Sequence, residues 1–354
     1  MLIVDAHQDI AYNATAWGRD YRLHPLKQRE KEAGRGYPLP TLGLPDALLG
    51  RVAVVFASIF TAPDTGRPSR VPYDPPTYRD VRGAYAAGMK QMDVYQRLAD
   101  EHPQIRIIHT LADLEAVLAT YAPDVPLAQR VQGLVIAFEG ADPIVEPRQF
   151  EEWYARGVRV VGLAWGATRY AGGTGAPGRL TRLGAELLGI MADFRAMADL
   201  AHLSEQAYYD VLEVFPGAVV CSHAVPRRFC DTDRHLSDRM LRALADRDGV
   251  MGVALCNAFL SPRWSLRDPR SRVPLSLAAD VIDYVCQLTG SARHVGIGSD
   301  LDGGFGAESA PDGIDTIADV ARIADILRAR GYAEADIVAV MGGNFLRQLR
   351  LCLT

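Results

Sequence analysis

Leu2-Ile3-Val4-Asp5-Ala6-His7-Gln8-Asp9-Ile10 opens the chain. Its first five residues are nearly all apolar, the pattern of a strand buried on both faces. His7 and Asp9 follow, two residues apart. On a strand, residues i and i+2 share a face, so an imidazole and a carboxylate converge where this strand ends. Nitrogen and oxygen donors together suit a borderline divalent ion such as zinc. Alone, the pair reads equally well as a capping Asp beside an unrelated His.

Seven further apolar runs share the pattern, at 51–60, 133–138, 158–165, 197–202, 218–222, 250–256 and 294–299. Between them lie segments of helical period and composition, near 76–101, 147–156, 182–195, 204–214, 236–247 and 273–289. Two more, near 314–330 and 333–350, follow the last run. Eight alternating units predict an α/β chain of the (β/α)8 TIM-barrel kind. A doubly wound open sheet is the alternative. It calls for a glycine-rich phosphate loop after the first strand, and none follows here. Residues 1–354 read as one metallo-hydrolase barrel domain, with no internal repeat and no dividing linker. The stretch from about 11 to 48, with Trp17, Tyr21, His24, Pro38 and Pro40, reads as one long irregular loop over the barrel mouth. A second loop, 62–78, is rich in Pro, Asp and Gly.

Bulk properties exclude several classes. The 354 residues are 49% hydrophobic, ample for a large core, and carry a net charge of −5 with no basic block. Nucleic acid is therefore not an expected partner. Five cysteines, with no CxxC, argue against a disulfide framework or a cysteine zinc site. The chain opens directly into a strand, and no apolar run reaches transmembrane length. The reading is a soluble cytoplasmic protein that does not engage membrane.

The run ends carry the chemistry. The first ends in His7 and Asp9, the third in Phe138-Glu139-Gly140, and the fifth in Asp199-Leu200-Ala201-His202. The sixth ends in Cys221-Ser222-His223, and the eighth in Gly298-Ser299-Asp300-Leu301-Asp302. A barrel gathers all of these at its C-terminal face, where barrel enzymes keep their active sites. Ionisable groups cluster at an apolar rim when they are paired or metal-bound. The ligand count predicts two ions: one on His7 and Asp9, the other on His202 and His223, bridged by Glu139. A bridging carbamoylated lysine is excluded, because Lys27, Lys31 and Lys90 are the only lysines and none ends a strand. Two ions share a water and bring its pKa near neutrality. Asp300 is then the candidate general base and proton shuttle, or else a structural acid of the last strand. Asp302 is a candidate supporting acid.

These residues carry a resemblance. The DxHxD spacing of 5–9, Glu139-Gly140, Asp199-Leu-Ala-His-Leu-Ser, Ser222-His223, Arg234-His-Leu-Ser-Asp, Gly298-Ser-Asp-Leu-Asp-Gly and Gly342-Gly-Asn-Phe-Leu-Arg resemble the membrane (renal) dipeptidase family of binuclear zinc metallopeptidases. The likeness runs from residue 2 to about 347. It implies a barrel with two zinc ions per chain that hydrolyses dipeptides, often with a D-residue at the C-terminal position, through a hydroxide bridging the ions. It implies His7, Asp9, Glu139, His202 and His223 as ligands and Asp300 as the catalytic acid. Arg234, on its own no more than a surface arginine, becomes the group that grips the substrate carboxylate. A homodimer is implied as well.

Two departures are visible. Many family members place a histidine after strand four that contacts the reacting carbonyl. Here Trp165 takes that position, either as a pocket residue or as simple core. An indole donates one hydrogen bond and carries no proton charge, so Arg169 or Tyr170 nearby would have to substitute. The end of strand seven, Leu255-Cys256-Asn257, lacks the family's aromatic. The rival readings are a metal-dependent amidohydrolase or lactonase on another small amide or ester, and a non-catalytic or biosynthetic relative.

Overall fold

Valine, isoleucine, leucine and alanine fill both faces of the strands, so each strand needs a neighbour on either side and helices over the sheet. The computed structural model describes residues 1–64 and 77–353. In it all eight runs become parallel strands: β1 (Ile3–Gln8), β2 (Val52–Phe60), β3 (Gln132–Glu139), β4 (Val158–Gly162), β5 (Met197–Asp199), β6 (Val219–Ala224), β7 (Val250–Val253) and β8 (Val295–Ile297). Their order is β2-β1-β8-β7-β6-β5-β4-β3, and β3 pairs back onto β2 from Val54 opposite Gly133 to Phe60 opposite Glu139. The sheet is thus a closed (β/α)8 barrel, as the alternation predicts.

The barrel floor is apolar. Val4, Val54, Val135, Val160, Met197, Val220 and Val250 form one buried cluster with Phe345, Leu346 and Leu349 of the C-terminal helix Asn344–Leu353. Asn344 anchors that helix, its Nδ2 donating to the carbonyls of Ala292 (2.7 Å) and Val295 (2.8 Å). Higher up, the barrel narrows around the Ser222 carbonyl. A Cβ on Gly298 would lie 1.8 Å from that oxygen, and one on Gly252 1.9 Å from it. Only glycine admits so close an approach at both places.

Boundaries differ from the sequence pattern at the mouth. The runs 158–165, 197–202, 250–256 and 294–299 leave the sheet at Gly162, Asp199, Val253 and Ile297. Beyond these points the chain must turn outward. His202 and Asp300 sit at φ +64° and +58°, left-handed conformations that no strand contains. The 11–48 stretch is not irregular throughout. It holds helices Ile10–Trp17, Pro25–Glu32 and Leu44–Leu49, the second capped by the His24 side chain and opened by Pro25 at the first position. Each is too short to declare itself by period.

Three features lie outside the predicted elements. Strand Ile105–Ile107 pairs with the start of β3. Helix Leu111–Ala119 carries a capping box between Thr110 and Asp113. A hairpin, Ala171–Gly173 with Ala176–Leu180, follows β4. The loop predicted at 62–78 falls mostly outside the described residues. Among those residues, no helix is long and apolar enough to cross a membrane.

Candidate metal centre

Strand ends bring the predicted ligands together at the mouth. His7 Nε2 lies 3.5 Å from Asp9 Oδ2, 3.5 Å from Glu139 Oε2 and 3.9 Å from Asp300 Oδ1. Glu139 Oε1 lies 2.9 Å from His202 Nε2 and 3.4 Å from His223 Nε2, and those two nitrogens are 3.1 Å apart. The His7 and His223 rings stack at 3.7 Å. All six side chains are buried. Two triads have ligand atoms within 4.8 Å of one another: His7, Glu139 and His223, and His7, Asp9 and Asp300.

Hydroxyl groups set the tautomers of two histidines. Ser222 Oγ has one proton, and Asp199 Oδ2, 2.5 Å away, takes it. The same oxygen lies 2.8 Å from His223 Nδ1 and so accepts that ring's N–H. Thr174 Oγ1, at the hairpin tip, donates to the His202 carbonyl (3.3 Å) and accepts from His202 Nδ1 (3.1 Å). Both rings thus keep Nε2 bare toward Glu139. Bare nitrogens 3.1 Å apart repel unless a cation lies among them. His7 Nε2, buried and without a hydrogen-bond partner among the described residues, belongs to the same group. The donor set of imidazole nitrogens and carboxylate oxygens therefore fits divalent metal.

The electrostatics agree. Burial would raise the Glu139 carboxyl, but the His7 charge foremost, with the His202 and His223 rings against it, holds it well below the carboxylate range. Burial would lower His7, but Glu139 and Asp9 drive it well above the usual imidazole value. Burial, with Arg234 adding to it, pushes His202 down to about 4. Burial, then His7 and Arg234, takes His223 well below its ordinary value. Asp300 is raised well above the ordinary range by burial, with Asp9 and Glu139 adding and His7 and Arg234 opposing.

Two aspartates fasten this arrangement. Asp199 of β5 accepts the Ser222 N–H at 2.9 Å as well as its hydroxyl. Asp5 of β1 accepts the Ser299 N–H at 2.7 Å and Oγ–H at 2.6 Å. In each case a serine, Ser222 within β6 or Ser299 just past the end of β8, is tied down one residue before a member of the cluster, His223 or Asp300. Asp9 is held by a hydrogen bond from Ser58 Oγ. Asp302, expected as a supporting acid, instead takes Thr41 N (2.8 Å), Thr41 Oγ1 (2.6 Å) and Leu42 N (3.2 Å), pinning the β1–β2 connection to the loop after β8.

Arg234 is buried and faces the cluster, its Nη2 donating to the His223 carbonyl at 2.7 Å and its Nη1 unpartnered among the described residues. Trp165 is half-buried, its ring 6.0 Å from His202 and 5.2 Å from Phe60. It joins an aromatic cluster with Tyr12, Trp17 and Phe60. Arg169 and Tyr170 need correction as substitutes for the family histidine. The Arg169 side chain donates to Asp142 Oδ1 (3.2 Å) and the carbonyls of Asp142, Ile144 and Val145, and Tyr170 Oη donates to the Ile144 carbonyl. Both side chains hold the 142–145 loop, because four local acceptors there outcompete a distant pocket. Sequence reasoning missed Thr174, Ser222, Asp199 and Asp5 as partners of the cluster. It also missed Asn257, fully buried after β7 with neither amide atom partnered among the described residues.

A closed parallel barrel with nitrogen and oxygen donors gathered at its C-terminal mouth defines a metallo-hydrolase class. The chain belongs to the membrane dipeptidase family, peptidase family M19, whose sequence profile matches residues 1–352. A protein of the pqqA 5′ region of Klebsiella pneumoniae is 30% identical over 290 residues, 79% of this chain and 98% of that protein. Mouse Dipeptidase 3 is 24% identical over 291 residues, 78% of this chain and 53% of that protein. Among solved structures, a metallo peptidase from Rhodobacter sphaeroides, liganded with a phosphinate mimic of the dipeptide L-Ala-D-Ala, superposes with TM-score 0.79 at 21% identity, covering 99% of each chain. The probable dipeptidase PvdM from Pseudomonas aeruginosa superposes with TM-score 0.78 at 21% identity, covering 100% of this chain and 96% of that one.

Proposed function

We propose that this metallo-dipeptidase hydrolyses dipeptides with a free C-terminal carboxylate, L,D-dipeptides among them, at a centre of two zinc ions. One observation carries the reading: Arg234, with a buried N–H that has no partner among the described residues, stands against the ligand cluster behind His223. The phosphinate dipeptide mimic in the Rhodobacter relative supports the substrate class. His7 and Asp9 would hold one ion, His202 and His223 the other, with Glu139 shared. When bound, the ions would supply an acidified water and polarise the scissile carbonyl. Arg234 Nη1 receives the substrate carboxylate and sets the peptide's reach. Asp300, its carboxyl raised by burial, accepts the water proton and returns it to the leaving amine nitrogen. Trp165 supplies an apolar wall where relatives use histidine. Five free cysteines, four of them buried, fit a reducing cytoplasmic compartment.

The test is to assay zinc-loaded protein on free L,L- and L,D-dipeptides, their C-terminal amides and tripeptides. Amidation, or Arg234→Met, should each cost about 2–5 kcal/mol in kcat/KM, the scale for breaking a buried charged pair. The losses should not add, since both remove one contact. Amides and tripeptides cleaved as fast as free dipeptides would favour the broader amidohydrolase reading instead.

A further inference from the structure

The loop after β6 carries a second unpartnered donor beside Arg234. Among the described residues, neither Arg234 Nη1 nor His235 Nε2 has a hydrogen-bond partner. His235 is 1% exposed and Arg234 8%. Both side chains reach back to the end of β6, at positions two residues apart. Arg234 Nη2 donates to the His223 carbonyl, and Val225 N donates to His235 Nδ1 at 3.4 Å. Because Nδ1 accepts, the proton of the neutral ring sits on Nε2. Burial, with the Arg234 charge beside it, pushes this imidazole down to about 2, so it stays neutral. One ring backs both groups: Phe259 lies 4.6 Å from the His235 ring and 5.9 Å from the Arg234 guanidinium carbon.

The pair is held at the strand end that carries His223. The Arg234 charge bears on His202, His223 and Asp300 of the cluster and on His235. A buried N–H without an acceptor costs roughly 1–3 kcal/mol. Two such donors on adjacent residues, both against Phe259 and both reaching the end of β6, suit one group with two acceptor oxygens.

We propose that His235 Nε2–H is a second donor to the substrate carboxylate, taking one oxygen while Arg234 takes the other. This rests on the dipeptidase reading. A charged donor supplies attraction and a neutral one supplies direction, so together they fix the carboxylate plane.

The test uses full-length, zinc-loaded protein with His235→Phe, which keeps a ring but has no donor, and His235→Gln, which restores an N–H. The readouts are kcat/KM on a free dipeptide and on its amide, Kd for a phosphinate dipeptide isostere bearing a free carboxylate, and zinc content. His235→Phe should weaken both kcat/KM on the free dipeptide and isostere binding about 10- to 100-fold, the worth of one or two tenfold steps per lost buried hydrogen bond. His235→Gln should recover most of this. On the amide, wild type and His235→Phe should match, and all variants should hold wild-type zinc. Unchanged binding in His235→Phe, an equal loss on the amide, or lost zinc overturns the proposal while wild-type turnover keeps the dipeptidase reading intact. A wild type that neither cleaves the dipeptide nor binds the isostere overturns both.

Discussion

Six ionisable side chains share one buried space at the mouth, and their protonation states are set by each other. The division of labour follows from position. Glu139 touches all three histidines and stays ionised, while Asp300 lies beside Asp9 and Glu139 and is driven up. A carboxylate held as an anion suits a ligand, and one with a raised pKa suits proton transfer near neutral pH. In that proposed role, Asp300→Asn keeps the shape but cannot accept a proton. Zinc content should stay near wild type while kcat falls on the order of 10²-fold or more. Near-normal turnover would return Asp300 to a structural part. The residues of this cluster were legible because each is an ionisable group closing an apolar run. Ser222 and Thr174 were not: hydroxyls are common, and their partners were chosen by the fold. Arg169 shows the converse, standing four residues from Trp165 yet spent on the 142–145 loop.

Elements, rather than single residues, orient the imidazoles. The hairpin after β4 puts Thr174 against His202, and its Gly175 N–H donates to Asp233 at 2.7 Å, just before Arg234. One short hairpin thereby fastens both a proposed ligand and the loop of the proposed carboxylate site. The β5–β6 pair does the same for His223 through Asp199 and Ser222. A hydroxyl that fixes a ligand histidine typically contributes 10- to 100-fold to metal affinity. Ser222→Ala and Thr174→Val should each weaken zinc by roughly that factor, measured by competition with a chromogenic chelator. Unchanged affinity in both would mean that packing alone orients the rings. The hairpin was unreadable in sequence because its strands are three and five residues long and rich in glycine. Helix Leu111–Ala119 was readable in principle, since Thr110 and Asp113 stand at capping-box spacing. The strand ends are read too long, because the apolar runs continue past the last sheet residues, Asp199 and Ile297, up to the left-handed turns at His202 and Asp300.

Across the whole molecule, the cluster joins parts of the chain that are nearly 300 residues apart, from His7 on β1 to Asp300 beyond β8. The strand count and the barrel itself were visible in the sequence; what secures its closure was not. It depends on β2 pairing with β3 along its length and on glycines that let β7 and β8 close around Ser222. Without a cation, the mouth holds facing bare nitrogens and crowded carboxylates, a strain borne by the folded state alone. Ions that bind the folded chain and not the unfolded one stabilise it by mass action, about 4 kcal/mol at a thousand times Kd. Chelation should therefore lower the thermal midpoint by several degrees, and zinc should restore it. Elemental analysis should then find about two zinc per chain, the count of a shared-carboxylate site. Glu139→Ala, which removes the shared ligand, should reduce both the count and the zinc-dependent rise in midpoint. A ratio of one that Glu139→Ala leaves untouched, with no thermal response to chelation, would reduce the centre to a single ion and remove the bridge.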